Sequence, residues 1–171
     1  MKNFLLVLMV ASVLGLSSNK AVAQFEKGDK LVNLGIGGGG YGFYSSGFAV
    51  GGSIEYGIHD FISVGAQADL KFYNYGYIGV GDKSYVALPI AARGSYHYGK
   101  HFLPMDNLDL YAGPTLGFSI DGNKYYTGGN VVFGAFAGAR YYFKPALGVF
   151  LELAGGTTSV IPAKVGVTFK L

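Results

Sequence analysis

The chain has no cysteine, and only 13% of its 171 residues are charged. The first absence excludes disulfides, zinc–thiolate sites and thiol catalysis. An exported chain without disulfides needs another source of stability, and a closed hydrogen-bonded barrel is one. With no cysteine anywhere in the chain, no bacterial lipid anchor is expected. Beyond the N-terminus no segment is long and apolar enough for a spanning helix. There is no basic run either, which argues against a nucleic-acid partner.

What is present begins with an export signal. Lys2 supplies a charged start, Phe4 to Leu16 an apolar stretch, and Ala21-Val22-Ala23 a small-residue cleavage site. Residues 1–23 are therefore expected to be a signal peptide, and residues 24–171 a single domain. Losing Lys2 and Lys20 lowers the formal charge from +3 to +1. Glycine is abundant, at 29 residues, and Tyr and Phe are frequent, at 14 and 13. Inside alternating segments this suits a narrow barrel, which needs small inward side chains and interfacial aromatics.

Eight segments alternate apolar with small or polar residues, as strands with two unlike faces do. They run at about Lys30–Tyr41, Phe48–Ile58, Phe61–Tyr73, Tyr85–Tyr98, Leu108–Ile120, Val131–Phe143, Leu147–Ala154 and Ile161–Leu171. In the third, Ile62, Val64, Ala66, Ala68, Leu70 and Phe72 oppose Ser63, Gly65, Gln67, Asp69 and Lys71. In the last, Ile161, Ala163, Val165, Val167, Phe169 and Leu171 oppose Lys164, Gly166, Thr168 and Lys170. The fold class expected is all-β: an eight-stranded antiparallel up-and-down transmembrane barrel, apolar outside and polar inside. Short or moderate connections at His59-Asp60, Lys100–Asn107 and Lys144–Ala146 fall on one side, taken as periplasmic. The longer Gly42–Gly47, Asn74–Ser84 and Asp121–Gly129, with the shorter Gly155–Val160, fall on the other. Pro89 and Pro114 lack a ladder donor, and bulges are expected there.

The polar face gathers Glu55, Asp69, Lys71, Arg93, Arg140, Glu152 and Lys164. An Arg or Lys at the lipid midplane costs about 2–4 kcal/mol, and buried ions persist when paired. These seven are expected to form a charge network filling the lumen. A last hairpin turning near Thr158 sets Glu152 opposite Lys164. At the outer strand ends, Tyr73, Tyr75, Tyr77, Tyr125 and Tyr126 are expected to form an aromatic rim that anchors the barrel, with capture of an extracellular partner as the alternative.

Gly35-x-Gly37-x-x-Gly40 matches a dinucleotide fingerprint but is followed by Tyr41-Gly-Phe-Tyr rather than a helix, so no nucleotide cofactor is expected. His59, His97 and His101 lack metal-binding spacing, so no metal site is expected. A lipid-modifying enzyme would need a histidine base beside a serine near the outer leaflet. These histidines fall at the opposite end, and no catalytic residue is assigned.

Four stretches resemble a known group: Glu55-Tyr-Gly-Ile-His-Asp-Phe-Ile-Ser-Val-Gly65, Leu88-Pro-Ile-Ala-Ala-Arg93, Tyr111-Ala-Gly-Pro-Thr-Leu-Gly-Phe118 and Val165-Gly-Val-Thr-Phe169. Their order is similar to that in the outer-membrane β-barrel domain family, which includes OmpA-, OmpX- and OmpW-like barrels. The resemblance implies a terminal assembly signal read by the barrel-insertion machinery, here Phe169 and Leu171. It implies no shared catalytic site, since members are anchors, adhesins, small-solute channels or, rarely, lipid-modifying enzymes. The expected function is a non-enzymatic integral outer-membrane protein with a structural or surface-interaction role. Its expected partners are outer-membrane lipids, the insertion machinery and an extracellular ligand or surface partner. One alternative is a narrow channel for ions or small apolar solutes. Another is a secreted lipocalin-like barrel with its faces inverted, against which the glycine-rich polar face argues.

Overall fold

A computed structural model describes residues 25–38, 45–77, 81–102, 105–123, 126–157 and 160–171. The expected signal segment, Tyr41 and Tyr125 lie outside these. The strands are β1 (Lys30–Gly38), β2 (Ser45–His59), β3 (Ile62–Tyr77), β4 (Gly81–His97), β5 (Leu108–Asn123), β6 (Tyr126–Lys144), β7 (Leu147–Gly156) and β8 (Ala163–Lys170). A short helix, α1 (Gly99–Phe102), links β4 to β5. Each strand pairs antiparallel with its sequence neighbours, and β8 returns to β1 to close the barrel. Closure leaves no strand edge open.

Alternation sets the two surfaces. Outward residues include Leu34, Ile54, Leu116, Phe133, Leu151 and Val165, each at least half exposed. Inward residues include Asn33, Glu55, Ser63, Arg93, Arg140 and Thr168, all buried. The core is therefore polar, and the solvent-accessible wall is apolar. Such inversion of the usual rule fits a barrel surrounded by hydrocarbon.

Several strands run past their expected outer ends. β3 continues to Tyr77, β4 starts at Gly81, and Asn123 pairs with Tyr126 across the β5–β6 hairpin. The segments read as outer loops at Asn74–Ser84 and Asp121–Gly129 are thus largely strand. Tyr, Asn and Gly dominate the sequence there, so no purely apolar set alternates with a polar one and alternation gives no signal. The last strand is shorter than expected. It begins at Ala163, and Ile161 is buried at 6% exposure rather than facing outward.

The prolines do not sit at bulges. The β3–β4 register is the same at Ala68↔Ile90 and Lys71↔Ala87, on either side of Pro89, and Pro89 still pairs with Ser119 of β5. Pro114 likewise stays in register opposite Ala135. A strand residue directs its N–H to one neighbour only, so each proline leaves a local gap on one side while the other ladder holds it. Register shifts occur instead beside two tight turns, at Gly57/His59 and Tyr142/Lys144.

Both chain ends of the described barrel lie at the same end, called the terminal end here; the opposite end carries the β1–β2, β3–β4, β5–β6 and β7–β8 connections. A strap, Phe25–Asp29, precedes β1. It is fixed by Gly28 N–H to Gly57 O (2.9 Å), Gly57 N–H to Asp29 O (2.8 Å) and a Lys170–Asp29 ion pair (2.8 Å).

Candidate functional site

The lumen holds the charges, and they meet across it. Arg140 of β6 donates to Glu55 of β2, to Asp109 of β5 at 2.9 Å and to Asn33 of β1 at 3.2 Å. Arg93 of β4 reaches Glu152 of β7 at 2.7 Å and Gln67 of β3 at 3.1 Å, with its Nε 3.5 Å from Glu55. Lys164 of β8 bonds Asp69 of β3 at 2.7 Å. Tyr111 of β5 donates to Glu152 at 3.1 Å. The register does set Glu152 opposite Lys164, but each ion spends its charge on a partner farther round the wall.

Aromatic rings fill the gaps between ions. The Arg93 guanidinium lies 3.8 Å from the Phe136 centroid and that of Arg140 lies 3.8 Å from Tyr111. A planar guanidinium stacks on a ring while its fork binds carboxylates. Tyr111 needs room beneath it: a Cβ at Gly138 would stand 2.5 Å from its ring carbon Cζ. Glycine at Gly138 is thus a packing requirement.

Six of the seven expected lumen charges are joined in these ion pairs. The seventh, Lys71, is also buried, with its Nζ 5.4 Å from the Tyr73 centroid. Asp109, His97 and Asp121 were not in the expected set and are buried with the rest. Asp121 accepts from Ser119 and from Asn130 (2.8 Å). It belongs to β5 rather than to a loop.

The tyrosine rim needs a correction. Tyr73 is inward and buried, stacked on Tyr85 at 5.4 Å, because odd positions of β3 face the lumen. By backbone, Tyr75 and Tyr77 lie at the end of β3 away from the termini, and Tyr126 begins β6 at that same end. The exposed tyrosines among the described side chains cluster instead at the terminal end: Tyr56, Tyr96 and Tyr141, beside Phe143. Phe169 and Leu171 are at that end too.

Ser63, His97 and Asp109 form a chain that sequence reading missed. Ser63 Oγ is 2.9 Å from His97 Nε2, and His97 Nδ1 is 2.8 Å from Asp109. These are the atoms of a nucleophile, base and orienting acid. The surroundings oppose that use. Ser63 is fully buried, and its hydroxyl, with a single proton, also stands 2.7 Å from Glu55, an acceptor. Ser95 donates to the same Glu55 oxygen at 2.5 Å. Phe25 covers the imidazole, centroids 3.6 Å apart and planes within 7°. Each of the three is inward on its own strand, but their meeting depends on register between β3, β4 and β5, which alternation does not fix.

Apolar side chains are buried at both ends of this network. At the terminal end Phe25, 2% exposed, stacks on His97. Val160 and Ile161 are buried at the other end, where Ile161 meets the site of an absent Cβ at Gly37. A groove of about 580 Å³ lies on the outer wall rather than in the lumen, lined by Ile36, Phe48, Val50, Leu151 and Val165. No group of metal-binding side chains occurs among the described residues. None of the described helices is long and apolar enough to cross a membrane.

No protein-family model matches the chain, and no curated protein matches it in sequence. Solved structures do. The outer membrane protein OprG from Pseudomonas aeruginosa has a TM-score of 0.61 at 10% identity, over 88% of this chain and 99% of that one. The N-terminal β-barrel domain of Pseudomonas aeruginosa OprF has a TM-score of 0.50 at 21% identity, over 86% and 100%. A de novo designed transmembrane β-barrel has a TM-score of 0.54 at 18% identity, over 86% and 99%. A designed barrel has no evolved ligand, so likeness to it concerns architecture alone. The chain has the fold of the small eight-stranded barrels found in bacterial outer membranes.

Proposed function

We propose that the protein is a non-enzymatic integral outer-membrane β-barrel with a filled lumen, acting as a structural or surface-interaction protein. One observation carries this reading: the wall is apolar where the barrel meets its surroundings, and the ionised groups are inside. A lipocalin-like barrel would need Arg93, Arg140 and Glu152 in water, whereas all three are buried. The channel alternative is opposed by Arg140–Glu55, Arg93–Glu152 and Lys164–Asp69, which cross the lumen and occupy it. An eight-stranded interior is just wide enough for side chains to fill. Export by residues 1–23, insertion through the strand ending at Phe169 and Leu171, and an outer-surface partner complete the proposal.

Cell fractionation followed by gel electrophoresis with and without boiling tests it. The expected result is recovery in the outer membrane with a heat-dependent mobility shift, and no steady conductance in planar bilayers. A soluble protein without the shift would overturn the membrane reading. Stable unitary currents would replace the filled lumen with the channel.

A further inference from the structure

Helix α1 sits on the outside of the barrel wall. Gly99 packs against the backbone and Cβ of Leu110, an outward position, where an added Cβ would stand 3.0 Å from Leu110 N. His101 Nε2 lies 3.0 Å from the hydroxyl of Tyr96, another outward residue, and its ring is tilted over Phe61 at 4.7 Å. Contacts with outward residues place the helix beside the wall, whereas Phe25 packs inside on His97. Phe102 is 75% exposed, the highest value among the large apolar side chains described, and it packs edge-on to Tyr98 and His101. Lys100 and His101 are the basic residues of this turn.

In water this arrangement would leave a phenylalanine uncovered beside Tyr98 and the exposed Tyr96, an unfavourable apolar patch. At a membrane interface it is favourable, since aromatic residues settle at headgroup level and cations sit near phosphates. The patch is continuous with the apolar wall through Tyr96 and Phe61.

We propose that α1 is an interfacial foot: Phe102 inserts into the phospholipid leaflet at the terminal end of the barrel, while Lys100 and His101 lie at its phosphates. This explains why the β4–β5 connection is longer than a tight turn. The inference rests on the membrane reading above, and the test separates the two.

The chain has no tryptophan, so one introduced Trp reports alone. Phe102→Trp, Phe143→Trp on the outward wall and Lys27→Trp on the exposed strap would each be refolded into phosphatidylcholine vesicles. Folding would be verified by the heat-dependent mobility shift. Half of each set would contain lipid brominated near the carbonyl end of the acyl chains. Bromolipid is expected to quench Phe102→Trp as strongly as Phe143→Trp, and to leave Lys27→Trp bright. A Phe102→Trp that behaves like Lys27→Trp, quenched by aqueous iodide instead, would overturn the foot alone. Absence of bromolipid quenching from Phe143→Trp as well would overturn the membrane reading and the foot together.

Discussion

Arg93 on β4 and Glu152 on β7 meet at 2.7 Å across the lumen, with Phe136 against the guanidinium face. Glu55 stands next to this pair and serves both arginines. Removing one partner of a buried ion pair leaves the other uncompensated and costs about 3–5 kcal/mol. Glu55→Ala is therefore expected to destabilise the barrel by about that amount, measured by urea unfolding in micelles. The double substitution Arg93→Leu/Glu152→Leu is expected to cost less than Glu152→Leu alone, since it strands no charge. A double variant as unstable as the sum of its singles would show that the pair is not coupled.

Depth on the outer wall should set the cost of a charge. Leu151 is 53% exposed and pairs with Val165 midway along β7. Leu171 is 51% exposed at the terminal end. Leu151→Arg should lower stability in lipid vesicles by about 2–4 kcal/mol, and Leu171→Arg by about 0–1 kcal/mol. Equal losses would contradict the membrane position inferred for the wall.

The strand number, the two faces and the inward charges were legible because alternation survives wherever one face meets hydrocarbon. At the outer strand ends that constraint lapses, so β3 beyond Tyr73 and β6 before Val131 looked like loop. Tyr73 closes the third segment, and continuing the β3 alternation past Lys71 turns it inward; grouping it with Tyr75 and Tyr77 by nearness to the strand end passes over that alternation. The ion pairs were half legible. Which residues face inward follows from a period of two, but which meet depends on the stagger of all eight strands. Hence Arg93–Glu152 and the Ser63–His97–Asp109 chain were visible only in three dimensions.

Gly138 and Gly94 should respond differently to an added methyl group. A Cβ at Gly138 would stand 2.5 Å from Tyr111 Cζ and 2.8 Å from Leu151 O, whereas at Gly94 the nearest atom is Ser63 O at 3.9 Å. Gly138→Ala must displace Tyr111 and disturb its bond to Glu152, and overpacking of this kind costs about 1–3 kcal/mol. Gly94→Ala is expected to be close to neutral. Urea midpoints of the two variants, compared at equal slope, decide the matter.

Phe25 lies over a serine that reagents should not reach. The ring stacks on His97, and its edge fills the space a side chain at Gly57 would take, 2.9 Å from that Cβ site. Ser63 bonds the imidazole beneath and is fully buried. The chain has no cysteine, so Ser63→Cys introduces a lone thiol. In the folded barrel this thiol should react slowly with a small charged methanethiosulfonate. Adding Phe25→Ala should speed the reaction, because the stopper is gone while the ion pairs above it remain. Ser119→Cys, buried near the opposite end, is the control. Its labelling should not change with Phe25→Ala. Acceleration at both sites would mean that the whole barrel loosens. Acceleration at neither would mean that Phe25 packs on His97 without sealing the mouth.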